Sequence, residues 1–430
     1  MGFFDFFKTL FGLQRRRDVS RLDSHPGHPD QPALDVISET IDLSGGPLKE
    51  HHRRRALRDQ RLLPKSRALT RAVGLKRRAV MDASEARRLF GATLRTRNRH
   101  LRDLLTDRDQ LKRLGLPLWE DETSLAAALG ISSRELRYFS IHRQREQQPH
   151  YVSFALPKRH GGERLIMAPK RRLKAIQRAL CTALVNKLPV SEHAHAFRNS
   201  RNIKTGALAH VGKRFVLRLD LKDFFPSVTF ARVRGLFIAC GYSYPVASTL
   251  AVLTTEAIRQ PIEHDGALFH VPVGPRFCVQ GAPTSPALCN AILLRLDRRL
   301  AGLARQGGVT YTRYADDLTF SGDVERPAMD KLRAAAAKII AAEGFVVNEA
   351  KTRLMGRGGR QSVTGVVVNQ VLGLSRKERR RLRAAAHQLR QPAVTETPEG
   401  RRKLLWWRGK LAYLSMLNRT QADALAKRLD

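Results

Sequence analysis

Apolar positions alternate strictly at Phe215, Leu217, Leu219 and Leu221 within Arg214–Leu221. This predicts a strand that buries one face. Tyr151 to Leu156 alternates in the same way, and Glu163 to Met167 follows after a turn at Lys158–Gly162, predicting a hairpin. Ala175 to Leu188 carries helical spacing and is stopped by Pro189. Ser124 to Ser132 reads as a short helix, a Gly130 turn and a second helix start. Tyr311 to Phe320 has β-formers on both sides of Ala315-Asp316-Asp317, predicting a hairpin with two carboxylates at its tip. From Ser375 onward the pattern is helical, with a break at Gln391–Gly400. No period of 20–50 residues recurs, which speaks against a solenoid.

Charge changes the picture. The 430 residues carry 78 Lys or Arg against 39 Asp or Glu, a formal net charge of +39. A compact chain tolerates that excess best beside a polyanion, and nucleic acid is the leading candidate. Residues 51–100 hold sixteen Lys or Arg and three acids, and read as a helical basic arm for a nucleic-acid backbone. Residues 375–430 hold fifteen Lys or Arg against five acids, with Trp406 and Trp407 beside Arg401 and Arg402. Aromatics among cations suit stacking on unpaired bases, although one of the two tryptophans is expected to pack inside. Residues 1–50 read as an amphipathic tail, Met1–Leu13, and a polar linker. No apolar run reaches membrane-span length and no secretory signal is visible, so a cytoplasmic protein without integral membrane association is expected. Cys181, Cys240, Cys278 and Cys289 fall at no zinc-ligand spacing and read as reduced thiols.

Candidate chemistry lies in acids that interrupt apolar strands. Asp220 stands near the end of one, and Asp316 and Asp317 are adjacent on a tight turn. Neighbouring carboxylates repel one another unless a proton or a cation intervenes. An oxygen-only set suits Mg2+, or alternatively Mn2+. A pair of such ions can support in-line phosphoryl displacement. Alone, Asp-Asp is as often a mere turn signal.

The surroundings decide between these readings. Asp220-Leu221-Lys222-Asp223-Phe224-Phe225-Pro226-Ser227, Gln280-Gly281-Ala282-Pro283-Thr284-Ser285-Pro286 and Tyr314-Ala315-Asp316-Asp317 resemble, in order and spacing, the palm motifs of reverse transcriptases. Gly344-Phe345 with Asn348 and Lys351, and Gly409–Leu414, match as well, and Val363-Thr364-Gly365 narrows the resemblance to bacterial retron reverse transcriptases, over about Ser124 to Asn418.

The resemblance implies an α+β right-hand polymerase: fingers, a palm with an antiparallel sheet, and an α-helical thumb, behind a basic helical N-terminal extension. The implied divisions are 1–50 tail and linker, 51–123 extension, 124–372 fingers and palm, and 373–430 thumb. It implies Asp220, Asp316 and Asp317 as metal-binding catalytic acids for two Mg2+, with Asp220 and Asp316 touching both ions and Asp317 playing a less direct part. Lys158 and Arg164 would hold the triphosphate, and Phe225 would select against a 2′-hydroxyl. Gln280 and Gly281 would line the nucleotide pocket, with Lys351 near the departing pyrophosphate. Ser285 is expected as a helix N-cap. Candidate RNA contacts are Ala207, His210, Val363, Thr364, Gly365, Arg401, Arg402, Trp406 and Trp407. Gly206 stands where the family's Asn-Ala-x-x-His motif has Asn.

The implied partners are deoxynucleoside triphosphates, a cognate structured noncoding RNA and its single-stranded DNA product. By family habit synthesis is primed from a guanosine 2′-hydroxyl of that RNA. A separate effector protein in anti-phage defence and a host ribonuclease H complete the expectation. Two other readings stay open: a group II intron-like or abortive-infection reverse transcriptase, and a non-catalytic RNA-binding scaffold.

Overall fold

The structure is a computed structural model that describes residues 105–140, 148–158, 162–264, 266–391 and 396–428. The amphipathic tail, the linker and the basic arm of 51–100 lie outside the described residues.

Helices α1 (Arg108–Arg113), α2 (Glu122–Ala128) and α3 (Ser133–Ser140) precede a hairpin of β1 (Tyr151–Pro157) and β2 (Glu163–Pro169). Then come α4 (Arg171–Ala183), α5 (Ile203–Leu208), β3 (Phe215–Asp220), α6 (Phe224–Ser227), α7 (Phe230–Cys240) and α8 (Tyr244–Thr254). A long hairpin follows, β4 (Glu256–His264) with β5 (Ala267–Phe277). Next are α9 (Ser285–Ile292), α10 (Leu294–Gln306), β6 (Thr310–Tyr314), β7 (Asp317–Gly322), α11 (Arg326–Ala342) and β8 (Arg353–Gly356). The described chain ends with β9 (Ser362–Val363), β10 (Val366–Val367), α12 (Arg376–Leu389), α13 (Pro398–Leu417) and α14 (Arg419–Ala426).

Local chemistry sets several boundaries. Asp121 and Ser124 cap α2 reciprocally, satisfying backbone donors that the first helical turn leaves open. Pro245 and Pro286 lie in the first turns of α8 and α9, where a missing N–H costs little. Helix α4 starts at Arg171 rather than Ala175 and ends at Ala183, with a 3-10 turn at Val185–Lys187 completing the stretch before Pro189. Helix α9 begins at Ser285 itself, so Ser285 is not its N-cap: Thr284 takes that place, without a side-chain capping bond.

The central sheet is antiparallel in the order β6-β7-β3-β8. Its inward residues Leu217, Leu219, Leu318 and Phe320 join the main core with α7, α8, α9, α10 and α11. Leu111, Trp119 and Leu125 belong to that same core, and Trp119 stacks on Tyr242 at 5.8 Å. A second core joins Val216 on the opposite face of β3 to β9, β10, α12, α13 and α14. Both faces of β3 are therefore covered, and its end is held from two sides. All four cysteines are free, and three are buried.

Burial corrects four of the candidate RNA contacts. Ala207, His210, Val363 and Trp407 are at most 2% exposed. His210 bridges two strands of the central sheet, contacting Ser321 at 2.6 Å and Thr312 at 2.7 Å. Burial pushes its pKa down to about 3, so it is neutral and structural. The Trp407 indole donates to the Leu382 carbonyl at 3.0 Å, which anchors α13 on α12. Trp406 is half-buried with Arg381 at 4.9 Å from its ring, and Arg401 and Arg402 are exposed. Thr364 and Gly365 form the two-residue loop between β9 and β10, both with positive φ. That is the backbone of a type I′ hairpin turn, for which Thr is an uncommon choice.

Candidate active site

Asp220 is the last residue of β3 and pairs in register with Asp317, the first residue of β7. Between β6 and β7 only Ala315 and Asp316 remain, so Asp316 occupies the hairpin tip. The sequence pattern placed both acids at the tip; register puts Asp317 on the strand instead. Ala315 takes φ 57°, a conformation that costs a residue with a Cβ roughly 1–2 kcal/mol. The tip is locked by the amide of Leu221, which donates to the Asp316 carbonyl at 2.9 Å. Asp220, Asp316 and Asp317 are therefore brought together by neighbouring backbone, not by long flexible side chains.

A buried ion pair braces the hairpin from behind. Arg313 of β6 binds both carboxylate oxygens of Asp297 in α10, at 2.8 and 2.7 Å. Both side chains are fully buried. Arg313 also donates to Asn290 at 2.8 Å and to the carbonyl of Ala315 at 3.2 Å. Tyr311 donates to Asp297 at 2.8 Å. The strained Ala315 is thus tied to the core by a guanidinium that has no solvent alternative.

The electrostatics of the three acids differ. Asp316 has its pKa pushed up to about 6, first by burial and next by the charge of Asp220. No salt bridge reaches it among the described residues. Asp317 is also pushed up, first by burial, against the opposing pull of Arg218. Arg218 holds it through two bonds, at 2.7 and 3.2 Å. The carboxylate of Asp220 accepts from Lys351 Nζ at 3.1 and 3.2 Å and from Asn348 Nδ2 at 3.2 Å. Among the described residues no three such side chains are gathered into a closed metal cluster. The donor chemistry nonetheless suits a hard divalent cation: Asp220 and Asp316 repel one another in a shielded setting and offer only oxygen.

Phe225 follows on α6 and is half-buried, while Phe224 is buried against it, edge to face at 5.2 Å. The Gln280–Gly281 loop docks on β2, where the Met167 amide donates to the Gln280 carbonyl at 2.8 Å. Gly281 has φ 121°, and a Cβ there would lie 2.7 Å from the Met167 carbonyl. Gly281→Ala is expected to destabilise by at least about 1 kcal/mol, read as a lower thermal midpoint. Lys158 and Arg164 are exposed on the β1–β2 hairpin. Arg164 pairs with Leu156, so the two cations share one face. Sequence reading missed Arg218, Arg313 and Asp297. The signal was present, since Arg218 is a charge inside an apolar strand, two residues from Asp220 and on its face.

The site is thus an antiparallel sheet with Asp220 ending one central strand and Asp316 and Asp317 at the adjoining hairpin. A family model described as "Reverse transcriptase (RNA-dependent DNA polymerase)" matches residues 156–381. The chain is 63% identical over 421 residues to a retron Mx65 reverse transcriptase from Myxococcus xanthus, covering 98% of this chain and 96% of the relative. It is 42% identical to a retron Mx162 reverse transcriptase of the same organism, over 73% of this chain and 67% of the relative. To a retron Ec86 reverse transcriptase from Escherichia coli it is 33% identical, over 65% and 81%. The chain belongs to the retron reverse transcriptases, and it is an RNA-directed DNA polymerase with the α+β reverse transcriptase fold. No helix among the described residues is long and apolar enough to cross a membrane.

Proposed function

We propose that this enzyme copies part of a cognate structured noncoding RNA into single-stranded DNA, using divalent cations held by Asp220 and Asp316. The single observation that carries the reading is the backbone-locked approach of the β3 end to the β6–β7 tip. When bound, the cations would activate the attacking hydroxyl and stabilise the charge that leaves with pyrophosphate.

The chain's own residues supply the rest. Lys158 and Arg164, on one hairpin face, are suited to the triphosphate. Phe225 is the bulk under the sugar, and the Gln280–Gly281 loop brings backbone close to the nucleotide. Lys351, exposed on a long stem, can meet the departing phosphates. In this division β1–β2 and the preceding helices act as fingers, the four-stranded sheet as palm, and α12–α14 as thumb. Arg401, Arg402, Trp406 and the Thr364–Gly365 turn are the remaining candidates for RNA contact, since they reach the surface. The basic segment 51–100 contributes on charge. The family setting extends the proposal to anti-phage defence with a separate effector, and to removal of the template by a host ribonuclease H.

Primer extension with Mg2+ and deoxynucleotides, wild type against Asp316→Ala, tests the catalytic part. Extension by the wild type alone is expected, and equal incorporation by both removes Asp316 from the mechanism. Sequencing the nucleic acid that copurifies with the chain tests the template. One structured RNA joined to a DNA copy of itself is expected, and a random RNA population contradicts the proposal.

A further inference from the structure

We infer that Arg218 is a positioning residue that withdraws Asp317 from cation binding, leaving Asp220 and Asp316 as the acids that meet the metal. This inference rests on the cation reading of the site given above. Arg218 and Asp220 alternate on β3 and share one face. Asp317 faces Asp220 in register, so all three side chains converge on one surface of the sheet. The guanidinium takes both oxygens of Asp317, at 2.7 and 3.2 Å, the fork-on-fork geometry that fixes a carboxylate in direction as well as charge.

The pair is shielded, with side-chain exposures of 28% for Arg218 and 12% for Asp317. It is thus unlike a solvated surface pair that thermal motion opens freely. Lys351 offers the contrast. Its side chain is 62% exposed, and a flexible stem carries its single ammonium to Asp220. A cation can displace Lys351 by rotation of that stem, whereas Asp317 can be freed only by breaking a planar two-point grip.

The consequences are electrostatic and geometric. Arg218 cancels one of three clustered negative charges. Through Asp317 it also ties the start of β7 to β3, and so fixes the neighbouring Asp316. A third free carboxylate would bind cations more tightly and pull them off the line between Asp220 and Asp316.

Mn2+ titration of the full chain, followed by electron paramagnetic resonance of the free ion, tests this, with primer extension as a parallel readout. Asp316→Asn is expected to weaken Mn2+ binding by about tenfold or more. If it does not, the cation reading itself fails, whatever Arg218 does. Arg218→Gln is expected to bind Mn2+ more tightly than wild type while extending primers more slowly. A merely structural role would lower both. The charge-balanced double variant Arg218→Gln with Asp317→Asn is expected to bind Mn2+ within about threefold of wild type, well short of the loss typical when a metal site's support is removed. With Asp316→Asn impaired as expected, an equal loss in the double variant makes Asp317 a ligand and overturns the inference. Weaker binding by Arg218→Gln overturns it as well. Should the double variant not fold, Asp317→Asn alone decides: a loss smaller than that of Asp316→Asn supports the inference, and an equal or larger loss ends it.

Discussion

Asp316→Asn is expected to abolish DNA synthesis and to make the protein more stable. The two effects share one cause. The folded chain holds the Asp316 proton more tightly than an open chain does, raising the carboxyl from an ordinary 3.8 to about 6. For an acid raised on folding, stability falls as pH rises from its ordinary value through the folded one, and stays low above it. The difference amounts to about 3 kcal/mol at pH 8, an upper figure because the turn can relax. Asparagine keeps the shape and removes the charge, so that cost disappears. Thermal unfolding in chelator at pH 8 should show a higher midpoint for the variant, and the gain should vanish near pH 4. Added Mg2+ should stabilise the wild type far more than the variant. Extension should fall about a hundredfold or more, as the loss of several kcal/mol of metal-derived stabilisation implies. A variant less stable than wild type at pH 8 would show that Asp316 is not held at a cost.

Asp297→Asn is expected to do the reverse, losing both stability and activity although it lies outside the acid cluster. Its carboxylate is the only acidic partner of Arg313 among the described residues, and both groups are fully buried. Removing one member of such a pair strands a charge in a poorly solvated interior, at about 3–5 kcal/mol. Tyr311 loses part of its acceptor at the same time. Because Arg313 also holds the Ala315 carbonyl, the strained tip loosens and Asp316 loses its position. The midpoint of urea unfolding and the extension rate should fall together. A replacement of both members by apolar residues of similar volume should recover much of the stability, since well-packed hydrophobes can substitute for a buried pair. It should not recover the rate, because the tie to Ala315 remains absent. Recovery of the full rate would mean that the brace contributes only to folding.

Much of this was legible in the sequence because its signals are local. Period-two alternation located β1 and β3, the turn after β1 located β2, and acids breaking an apolar pattern pointed to Asp220 and Asp316. The fixed order of short motifs supplied the family. What was not legible depends on distant partners. His210 reads equally as part of an RNA motif and as a structural histidine, and only Ser321 and Thr312, over a hundred residues away, decide for the second. Trp407 and Trp406 are adjacent in a basic stretch, and only helix packing decides that the first faces the core. Asp317 reads as an acid with a less direct part than Asp316, but only strand register reveals that its partner is Arg218. Arg313 and Asp297 are sixteen residues apart, and nothing in their local pattern announces a buried pair. The boundary of α4 shifted for a local reason: Arg171 and Arg172 extend the helix by a turn at no apolar cost, and solvent accepts them.

In the proposed mechanism Asp220 at the end of β3 and Asp316 at the β6–β7 tip converge to hold a divalent cation at the point of synthesis. Anomalous diffraction from crystals of the chain grown with Mn2+ tests it most directly. A peak is expected at the carboxylates of Asp220 and Asp316, about 2.1 Å from an oxygen of each, with Arg218 still on Asp317. A peak elsewhere, with those two carboxylates bare, would contradict it.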